Sequence, residues 1–496
     1  MTFSRHRDAM NRHPVRLLIL LLLCAWALTA LYHRYKPLPD DVGRAWPVRA
    51  AERVALLVDD TWVNQADATQ ATPERHFQQG IFDEFFRLIG QARQRVLVDM
   101  FLFNDMAGAS TRVHRPLSAQ LTEALIHAKR AHPAMPVTLI TDSFNTFYGG
   151  LEAPHLQRLR EAGVQVVFTD LPRLRDSNPG WSGLWRLCCQ WLGNSTEGGW
   201  LPNATGPGKV TLRSYLALIN FKANHRKTLV VDEGDHWTAL VTSANAHDAS
   251  SAHGNVALRF SGAAALDVLR SELSVARFSG ADPVPAPALT TAAAPTVGPT
   301  LQVLTEGAIR DALLRTVREA RAGETLQVSV FYLSHRPLIK ALVKAQRRGV
   351  ALRVLLDPNK DAFGREKNGI PNRQAALELH DAGVPVRWCA THGEQCHTKM
   401  LLRLPAPGDR ARPATLILGS ANYTRRNLDN LNLETSVALT GRPDLPALRA
   451  ARETFEQRWS NPDGKQFSLA YTAYADDSTL RYGLYRLMEF TGWSTF

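Results

Sequence analysis

Apolar and polar positions follow the same order twice along the chain. Each series has an apolar run typical of a buried strand, an amphipathic helix, a second apolar strand, and a helix stopped by glycine before a third strand. A further helix closes each series. Strands that alternate with helices at this spacing predict an α/β fold in each half and a pseudo-twofold pair of sheets. The matching segments are 96–103 with 326–333, 137–142 with 352–357, 159–168 with 379–388, and 269–278 with 452–459.

A stretch rich in Pro, Ala and Thr separates the two series at 282–300 and predicts a linker, since it has no apolar period. We therefore expect a first domain over 46–281 and a second over 301–464. The aromatic tail at 465–496 is expected to pack against the body.

The first half carries an insertion, at about 173–220, that the second half lacks. It holds four of the eleven tryptophans, and tryptophan favours membrane interfaces. Two interpretations stay open. The insertion is a hydrophobic lid or membrane-dipping element at the mouth of a site, or it is a helical hairpin packed on the core. The tryptophans are Trp181, Trp185, Trp191 and Trp200.

The basic N-terminal region, 1–45, contains an apolar run at 17–32 that predicts a targeting helix. Sixteen helical residues reach about 24 Å, slightly less than the ~30 Å hydrocarbon layer of a bilayer. One interpretation is an uncleaved anchor with its N-terminus inside, because basic residues precede the run. The other is a cleaved signal peptide, because Ala25, Trp26 and Ala27 form a small-x-small pattern.

Composition narrows the class of protein. The chain has 496 residues, 45% of them hydrophobic and 21% charged, which excludes a disordered or fibrous protein. Lysine and arginine number 58 against 46 acidic residues, so the formal net charge is +12. This balance indicates an anionic partner, which is nucleic acid, an anionic lipid surface or a phosphate-bearing substrate.

Four cysteines lie in the body of the chain. The adjacent Cys188 and Cys189 are not expected to pair with each other. Cys389 and Cys396 flank a short loop, and they are either bridged or two free thiols. Together with His392 and nearby His397 they resemble a zinc cluster, but the spacing matches no usual ligand pair.

Each half carries a His-x-Lys pair, then an apolar strand, then a Ser-x-Asn turn. Alternate residues of a strand face the same side, so the histidine and lysine of each pair point in one direction. Two such sets facing each other across the pseudo-twofold axis would bring two imidazoles, two ammonium groups and two carboxamides to one point. The residues are His225, Lys227, Ser243 and Asn245 in the first half, and His397, Lys399, Ser420 and Asn422 in the second.

This combination of groups suits a phosphodiester. One histidine can attack phosphorus and form a covalent phospho-histidine, while the other protonates the departing alkoxide and later deprotonates the incoming hydroxyl. The lysines Lys227 and Lys399 and the carboxamides of Asn245 and Asn422 would hold the equatorial oxygens and stabilise their charge. The chemistry requires no metal.

At these residues the chain resembles the phospholipase D superfamily, whose signature is H-x-K-x-x-x-x-D followed by G-S-x-N, present twice. The resemblance covers roughly 50–465 and implies two phospholipase D-like α/β sandwich halves without a cofactor or metal. NFKANHRKTLVVDEG is similar to the bacterial cardiolipin synthase branch, in which an asparagine precedes the histidine and an aspartate ends the strand, here Asn224 and Asp232. It implies His225 as nucleophile and His397 as acid/base.

The chain departs from the family pattern at several positions. Leu404 stands where the second motif has aspartate, and Thr242 stands where the first has glycine. The family's later acidic residue, which orients a catalytic histidine, is Glu434 in the second half, but the matching GNVA places Ala257 in the first. His225 is therefore expected to lack its orienting partner unless Asp232 or Asp248 substitutes.

Other polar residues are candidates for substrate binding. Ser243, Ser420, Asn224 and Arg425 are expected to contact substrate, as is the basic loop 356–373, unless that loop is only solvated.

The leading hypothesis is a membrane-associated phosphatidyltransferase or phospholipase of the cardiolipin synthase type, acting on anionic phospholipid and not on nucleic acid. The N-terminal segment predicts a catalytic body in the periplasm, anchored to the inner membrane or released by cleavage. An exported nuclease of the same superfamily and a membrane scaffold with weakened catalysis are the alternatives. The sequence leaves open the oligomeric state and the choice between hydrolysis and transfer.

Overall fold

A computed structural model describes residues 4–70, 72–110, 112–288 and 297–496. The predicted linker at 282–300 is described only at its two ends, because 289–296 lie outside the described residues.

The first half contains six helices and most of one large sheet within the described residues, and the N-terminal helix precedes it. The helices are α1 (Ser4–Tyr35), α2 (Ile81–Gln91), α3 (Leu117–Ala131), α4 (Pro154–Glu161), α5 (Pro179–Cys188), α6 (Leu212–Leu218) and α7 (Ala263–Phe278). The strands are β1 (Arg49–Ala50), β2 (Glu52–Asn64), β3 (His76–Gln78), β4 (Val96–Met100), β5 (Phe103–Asn104), β6 (Val137–Thr141), β7 (Gln165–Phe168), β8 (Leu201–Pro202), β9 (Lys209–Val210), β10 (Lys227–Glu233), β11 (His236–Thr242), β12 (Ala246–His247) and β13 (Asn255–Ser261).

The second half repeats this order with shorter connections and ends in the aromatic tail. Its helices are α8 (Gly307–Glu319), α9 (Arg336–Arg347), α10 (Asn372–Asp381), α11 (Arg425–Leu428), α12 (Pro446–Ser460) and α13 (Thr479–Thr491). Its strands are β14 (Thr300–Thr305), β15 (Thr325–Val330), β16 (Ala351–Leu356), β17 (Asp361–Ala362), β18 (Arg365–Glu366), β19 (Val386–Cys389), β20 (Lys399–Leu404), β21 (Ala414–Gly419), β22 (Thr435–Gly441), β23 (Lys465–Gln466) and β24 (Ser468–Ala470).

The two large sheets have the same topology. One runs β2-β13-β11-β10-β4-β6-β7 and the other β14-β22-β21-β20-β15-β16-β19. In each, the last three strands are parallel to one another, and the strand that follows the His-x-Lys histidine, His225 or His397, is antiparallel to them. Lys227 is opposite Met100 and Lys399 is opposite Val330, so both His-x-Lys pairs begin at the same edge of their sheets. The predicted α/β fold with two pseudo-twofold halves is confirmed.

Each sheet packs helices on its outer face and shares a core on its inner face. The outer helices are amphipathic: α2, for example, buries Ile81, Phe85 and Leu88 along one stripe. The inner faces of both sheets meet in one hydrophobic core together with α7 and α12. Strands β4 and β15 are buried on both faces. The β4 sequence, VLVDM, is accordingly almost continuously apolar, whereas β15, TLQVSV, alternates apolar residues with buried polar ones.

The halves exchange contacts across this shared core. Strand β1 pairs with β14 of the second sheet, and β23 pairs with β2 of the first. Arg226, which lies between His225 and Lys227, is fully buried and bonds to Glu272 at 3.0 Å and to Glu306 of the second half at 2.7 Å. The interface is therefore built directly behind the first catalytic motif.

Helix α1 contains a segment long and apolar enough to cross a membrane, Pro14–Tyr35, with a mean hydropathy of 2.2. Its C-terminal end packs against the insertion. The indole Nε1 of Trp26 donates to the Gly180 carbonyl at 2.8 Å, and Lys36 Nζ donates to the Pro172 carbonyl at 2.6 Å. The insertion is thereby held beside the point where α1 joins the body.

Both pairs of body cysteines are disulfide-bonded. Cys389 and Cys396 bridge the end of β19 to the residue before His397. Cys188 and Cys189 bond to each other, contrary to the expectation from sequence. Helix α5 ends at Cys188, and Cys189 leaves the helical conformation with φ −138°, so the two side chains can meet.

Candidate active site

His225 and His397 line one cavity of about 300 Å³ between the two halves. Each histidine lies two positions before the first residue of its strand, β10 or β20, and is held by the backbone of the opposite half. The His225 amide donates to the Leu433 carbonyl at 2.9 Å, and the His397 amide donates to the Gly254 carbonyl at 2.8 Å. The structure thus brings the two predicted imidazoles together through reciprocal contacts.

The two lysines lie beneath the histidines and are buried. Lys227 Nζ donates to the His225 carbonyl at 2.6 Å, and Lys399 Nζ donates to the His397 carbonyl at 2.7 Å. Burial lowers the pKa of Lys227 to about 7 and lowers the pKa of Lys399 well below its ordinary value. A phosphate in the cavity would favour their charged forms, because an adjacent anion opposes that shift.

Two phenylalanines complete the repeated arrangement. Lys227 Nζ lies 5.0 Å from the ring centre of Phe101, and Lys399 Nζ lies 5.3 Å from that of Phe331. The same rings contact His225 and His397 at centroid distances of 4.9 and 5.0 Å. Each ring therefore fixes one imidazole and shields one ammonium group from water.

The orienting partners of the histidines come from the opposite halves. His225 Nδ1 lies 2.9 Å from Glu434 of the second half, and His397 Nδ1 lies 3.2 Å from Asn255 Oδ1 of the first. The Nε2 atom of each histidine stays available for chemistry. His225 has a carboxylate partner and His397 a neutral carboxamide, which is the main chemical asymmetry of the site.

This geometry corrects the expectation that His225 lacks a partner. Asp248 instead bonds to the N-terminal end of α3, through the Ser118 amide at 2.9 Å, and Asp232 lies at the far end of β10. The structural counterpart of Glu434 is Asn255 and not Ala257. Ala257 lies two residues further along β13, where it is buried in the outer core of the first half.

Burial dominates the pKa values of both imidazoles. It lowers the pKa of His225 to about 4, although Glu434 acts in the opposite direction. It lowers the pKa of His397 well below the ordinary value, and the nearby Lys399 ammonium adds to the shift. Both rings are therefore neutral near pH 7 in the free protein, which suits a nucleophile. The acid must gain its proton when an anionic substrate enters.

Asn245 and Asn422 also line the cavity. The Oδ1 atom of Asn422 is buried and has no hydrogen-bond partner among the described residues, whereas Asn245 Oδ1 accepts from the Leu102 amide at 3.4 Å. Buried polar atoms without partners are rare, so these carboxamides are suited to contact a ligand.

Comparisons with known proteins agree with this geometry. Residues 313–459 match the family model described as the PLD-like domain of cardiolipin synthase. The match lies within the second half and covers less than half of the chain. The resemblance to the phospholipase D superfamily is thereby confirmed. No curated protein sequence matches this chain.

One solved structure shows the same fold over most of the chain. Phosphatidylserine synthase from Haemophilus influenzae Rd KW20 aligns with a TM-score of 0.56 and 10% identity, over 90% of this chain and 97% of that one. Nuc from Salmonella typhimurium, a phospholipase D family member, is 23% identical with a TM-score of 0.26, over 32% of this chain and 94% of that one.

Several predicted residues of the phospholipase D-like site lie behind the cavity. Ser243 Oγ donates to Asn255 Oδ1 at 2.9 Å, and Ser420 Oγ donates to Glu434. Both serines are fully buried. They hold the groups that orient the histidines, so the structure does not support direct substrate contact.

Asn224, Asp232 and Arg425 also lie outside the cavity lining. Asn224 Nδ2 donates to both Asp99 oxygens at 2.8 and 2.9 Å inside the first half. Asp232 accepts from three backbone amides at 93–95, between α2 and β4. Arg425 donates to the Phe490 carbonyl at 3.0 Å. These three side chains hold backbone and core, and none is placed to touch the reacting phosphorus.

Sequence reasoning missed two aspartates that position the catalytic strands. Asp142 accepts from the Asn224 amide at 2.7 Å, and Asp357 accepts from the Cys396 amide at 2.8 Å. Each donor is the residue before a catalytic histidine. The signal was present, because the matching strands VTLITD and LRVLLD both end in aspartate.

The cavity is also lined by four basic residues that the paired motifs do not include: Lys222, His253, Lys367 and Arg426. Lys367 Nζ donates to the Tyr332 hydroxyl at 2.6 Å. His253 Nδ1 accepts from the Gln395 amide at 3.2 Å, which leaves Nε2–H as a buried donor without a partner among the described residues. The basic loop therefore does contribute to the site, through Lys367. Among the described residues, no group of three or more potential ligands forms a metal site.

Proposed function

We propose that this protein is a membrane-associated phospholipase D-type phosphatidyltransferase or phosphodiesterase that acts on glycerophospholipids through a phospho-histidine, in the manner of cardiolipin synthases. The observation that carries the proposal is the convergence of His225 and His397 on one cavity, each histidine oriented by the opposite half and backed by a buried lysine. The family match of the second half supports the same class of chemistry.

In the first step, His225 Nε2 attacks phosphorus. The bond from phosphorus to the head-group oxygen breaks, and His397 delivers a proton to that oxygen. Glu434 accepts the Nδ1–H of His225 and stabilises the positive charge that the ring acquires. Asn245 and Asn422, which line the cavity, would contact the phosphoryl oxygens, and the buried ammonium groups of Lys227 and Lys399 would stabilise the negative charge from behind the histidines. The products are phosphatidyl-His225 and a free alcohol.

In the second step, His397 takes a proton from an incoming hydroxyl, whose oxygen attacks phosphorus. The bond from phosphorus to His225 Nε2 breaks, and the free enzyme returns. Water as acceptor gives phosphatidic acid, whereas the hydroxyl of a second phosphatidylglycerol gives cardiolipin. The two outcomes share every protein group and differ only in the acceptor.

Exposed apolar side chains next to α1 support action at a membrane. In the insertion, Trp191, Leu192 and Trp200 are 63%, 55% and 65% exposed. Tryptophan and leucine in such numbers on one surface are typical of contact with a bilayer. Because α1 is packed against this same segment, the insertion would lie at the membrane surface while α1 spans the bilayer.

Helix α13 adds a second apolar surface. Tyr485 is buried against the body, while Leu480, Leu484, Leu487 and Phe490 are exposed along the other side of the helix. Residues spaced three or four apart share one face of a helix, so these four form a stripe. Arg425 donates to the Phe490 carbonyl. The pKa of Arg425 is lowered mainly by burial and additionally by the charge of Arg34, which lies nearby at the end of α1. The stripe therefore ends near the base of α1.

The test is to incubate the purified full-length protein with labelled phosphatidylglycerol in vesicles and to resolve the lipids. Cardiolipin would show transfer and phosphatidic acid would show hydrolysis, and both support the proposal. Cleavage of DNA without lipid turnover would overturn it in favour of an exported nuclease. Turnover of neither substrate would favour a catalytically weakened scaffold.

A further inference from the structure

A cavity of about 550 Å³ lies beside the catalytic cavity in the first half. One wall is formed by residues that follow β6 and β7, including Leu151, Phe168 and Leu171. The opposite wall is formed by the insertion, including Trp185 and Ala217. Its volume falls within the range of about 300–1,000 Å³ that is usual for ligand cavities.

The two cavities adjoin each other. Tyr148 and Lys222 line both of them, so these two side chains mark the join. A molecule whose phosphodiester lies at His225 would pass Tyr148 to reach the larger cavity.

The larger cavity depends on the insertion. In the second half, Cys396 lies only seven positions after Cys389 at the end of β19, and a disulfide closes this connection. In the first half, the equivalent connection after β7 is the insertion, which moves away from the sheet to form α5 and α6 and returns at Lys222. The extra segment thus supplies a complete wall next to the site.

The charged groups at this wall are already bound within the insertion. Arg186 and Lys222 pair with Asp176 at 2.9 and 2.5 Å. Arg213 stacks on Trp185 at 4.2 Å and donates to the Leu192 carbonyl at 2.7 Å. These cations brace the wall, and the surface left to a ligand between Phe168, Leu171 and Ala217 is mainly apolar. An apolar chain fits this lining better than a second phosphate.

The wall is also adjacent to the membrane helix. The Pro172 carbonyl, which accepts from Lys36 after the end of α1, belongs to a cavity-lining residue. Trp185 lies on α5, which packs on α1 at Gly180 and Gly183. The cavity is therefore placed where a chain leaving the bilayer beside α1 would reach the site.

We propose that this cavity binds an acyl chain of the glycerophospholipid whose phosphodiester occupies the catalytic cavity. The inference rests on the proposed function and deepens it, since it assigns the insertion a role in selecting substrates by their chains. A long chain fills the apolar space, and its burial contributes binding energy that a short chain cannot supply.

The first experiment uses phosphatidylglycerol with a photoreactive diazirine near the end of one acyl chain, added to the full-length protein in detergent micelles. Cross-links are mapped by peptide mass spectrometry. We expect labelling of 143–172 and 213–222, the segments that line the cavity. Labelling confined to α1, Trp191 or the exposed stripe of α13 would overturn the inference.

The second experiment fills the cavity. Ala217→Trp is expected to abolish the cavity cross-links and to reduce turnover of dioleoyl phosphatidylglycerol at least about tenfold, while turnover of the dihexanoyl lipid is retained. Ala217→Phe gives a milder filling should the larger side chain impair folding, which thermal melting detects. Leu212→Trp, on the exposed side of the same helix, is the matched control and should change neither readout.

The two proposals can fail separately. If the wild-type protein turns over neither lipid but the cavity is still labelled, the proposed reaction fails and the chain-binding site stands. If both lipids are turned over equally well and Ala217→Trp changes neither rate nor labelling, the reaction stands and the cavity assignment is wrong.

Discussion

The two catalytic histidines have almost the same surroundings, yet one orienting partner differs. Each is held by a backbone carbonyl of the opposite half, lies near a phenylalanine and receives a lysine on its own carbonyl. His225 faces the carboxylate of Glu434, whereas His397 faces the carboxamide of Asn255. The duplication provides two similar sets of groups, one around each histidine. The difference in charge between Glu434 and Asn255 supports unequal roles for the two histidines. A carboxylate stabilises the cationic ring that forms when His225 bonds to phosphorus.

The largest effect is expected from removing either imidazole. His225→Ala removes the bond-forming atom and should lower lipid turnover by at least about 10³-fold, while His397→Ala removes the acid and base and should cost about 10²–10⁴-fold. A phospho-enzyme trapped by acid quench should carry its label on the peptide that contains His225. Label on His397 would reverse the roles, and full activity of His397→Ala would disprove the shared site.

A smaller effect is expected from exchanging the partners. Glu434→Gln retains a hydrogen-bond acceptor but removes its charge, which should cost about 1–2 kcal/mol of transition-state stabilisation, or roughly 5–30-fold in rate. Because Glu434 raises the pKa of His225, the variant should move the acid limb of the pH profile to lower pH. An unchanged profile would mean that the carboxylate only positions the ring.

The reciprocal variant tests the other half. Asn255→Asp places a carboxylate next to His397 and should raise its pKa. His397 must be protonated to act as the acid, and protonation is lost as the pH rises through its pKa. The alkaline limb should therefore move to higher pH in this variant, and a shift in the acid limb instead would assign the acid to His225.

Most of the fold and the approach of the two histidines to one cavity could be predicted from the sequence, because the elements that carry them repeat. Two copies of one order of strands and helices predict two similar sheets. Because alternate residues of a strand face the same side, the spacing of a His-x-Lys pair also predicts that its two side chains point in one direction. The contact between His225 and Glu434 could not be derived in this way, since the register between the halves is not encoded locally. Glu434 lies 14 positions after Ser420, whereas its structural counterpart Asn255 lies only 12 positions after Ser243. Aligning the two segments at equal spacing therefore selects Ala257, which is 14 positions after Ser243.

The insertion shows the same limit. Its tryptophans predicted an apolar element near the site, but the walls of a cavity are formed jointly with Leu151 and Phe168, which are distant in sequence. Side chains that cooperate only after folding leave no local pattern. The vicinal pair Cys188 and Cys189 was missed for a related reason, because it depends on where α5 ends.

The smallest effect is expected from Asp142→Asn and Asp357→Asn, which compare the supports of the two strands. Asp142 accepts from the amides of Asn224 and Phe144, and a carboxamide can accept only one of these bonds well. Each substitution should destabilise the protein by about 1–3 kcal/mol and lower activity only a few-fold. Thermal or urea unfolding across pH 5–8 measures the effect, with activity assayed in parallel.

The pKa values of Asp142 and Asp357 determine how the stability difference between wild type and each variant changes with pH. Burial raises the pKa of Asp142 to about 7 and that of Asp357 to about 6. Since the folded state disfavours ionisation, each aspartate contributes most stability at low pH and less as the pH rises towards its folded pKa. Asparagine lacks this decline, so the stability gap between wild type and variant should narrow with rising pH, up to about pH 7 for Asp142→Asn and about pH 6 for Asp357→Asn. A gap that widens with pH would mean that both aspartates are ionised in the folded protein and that their backbone bonds outweigh the cost of burial.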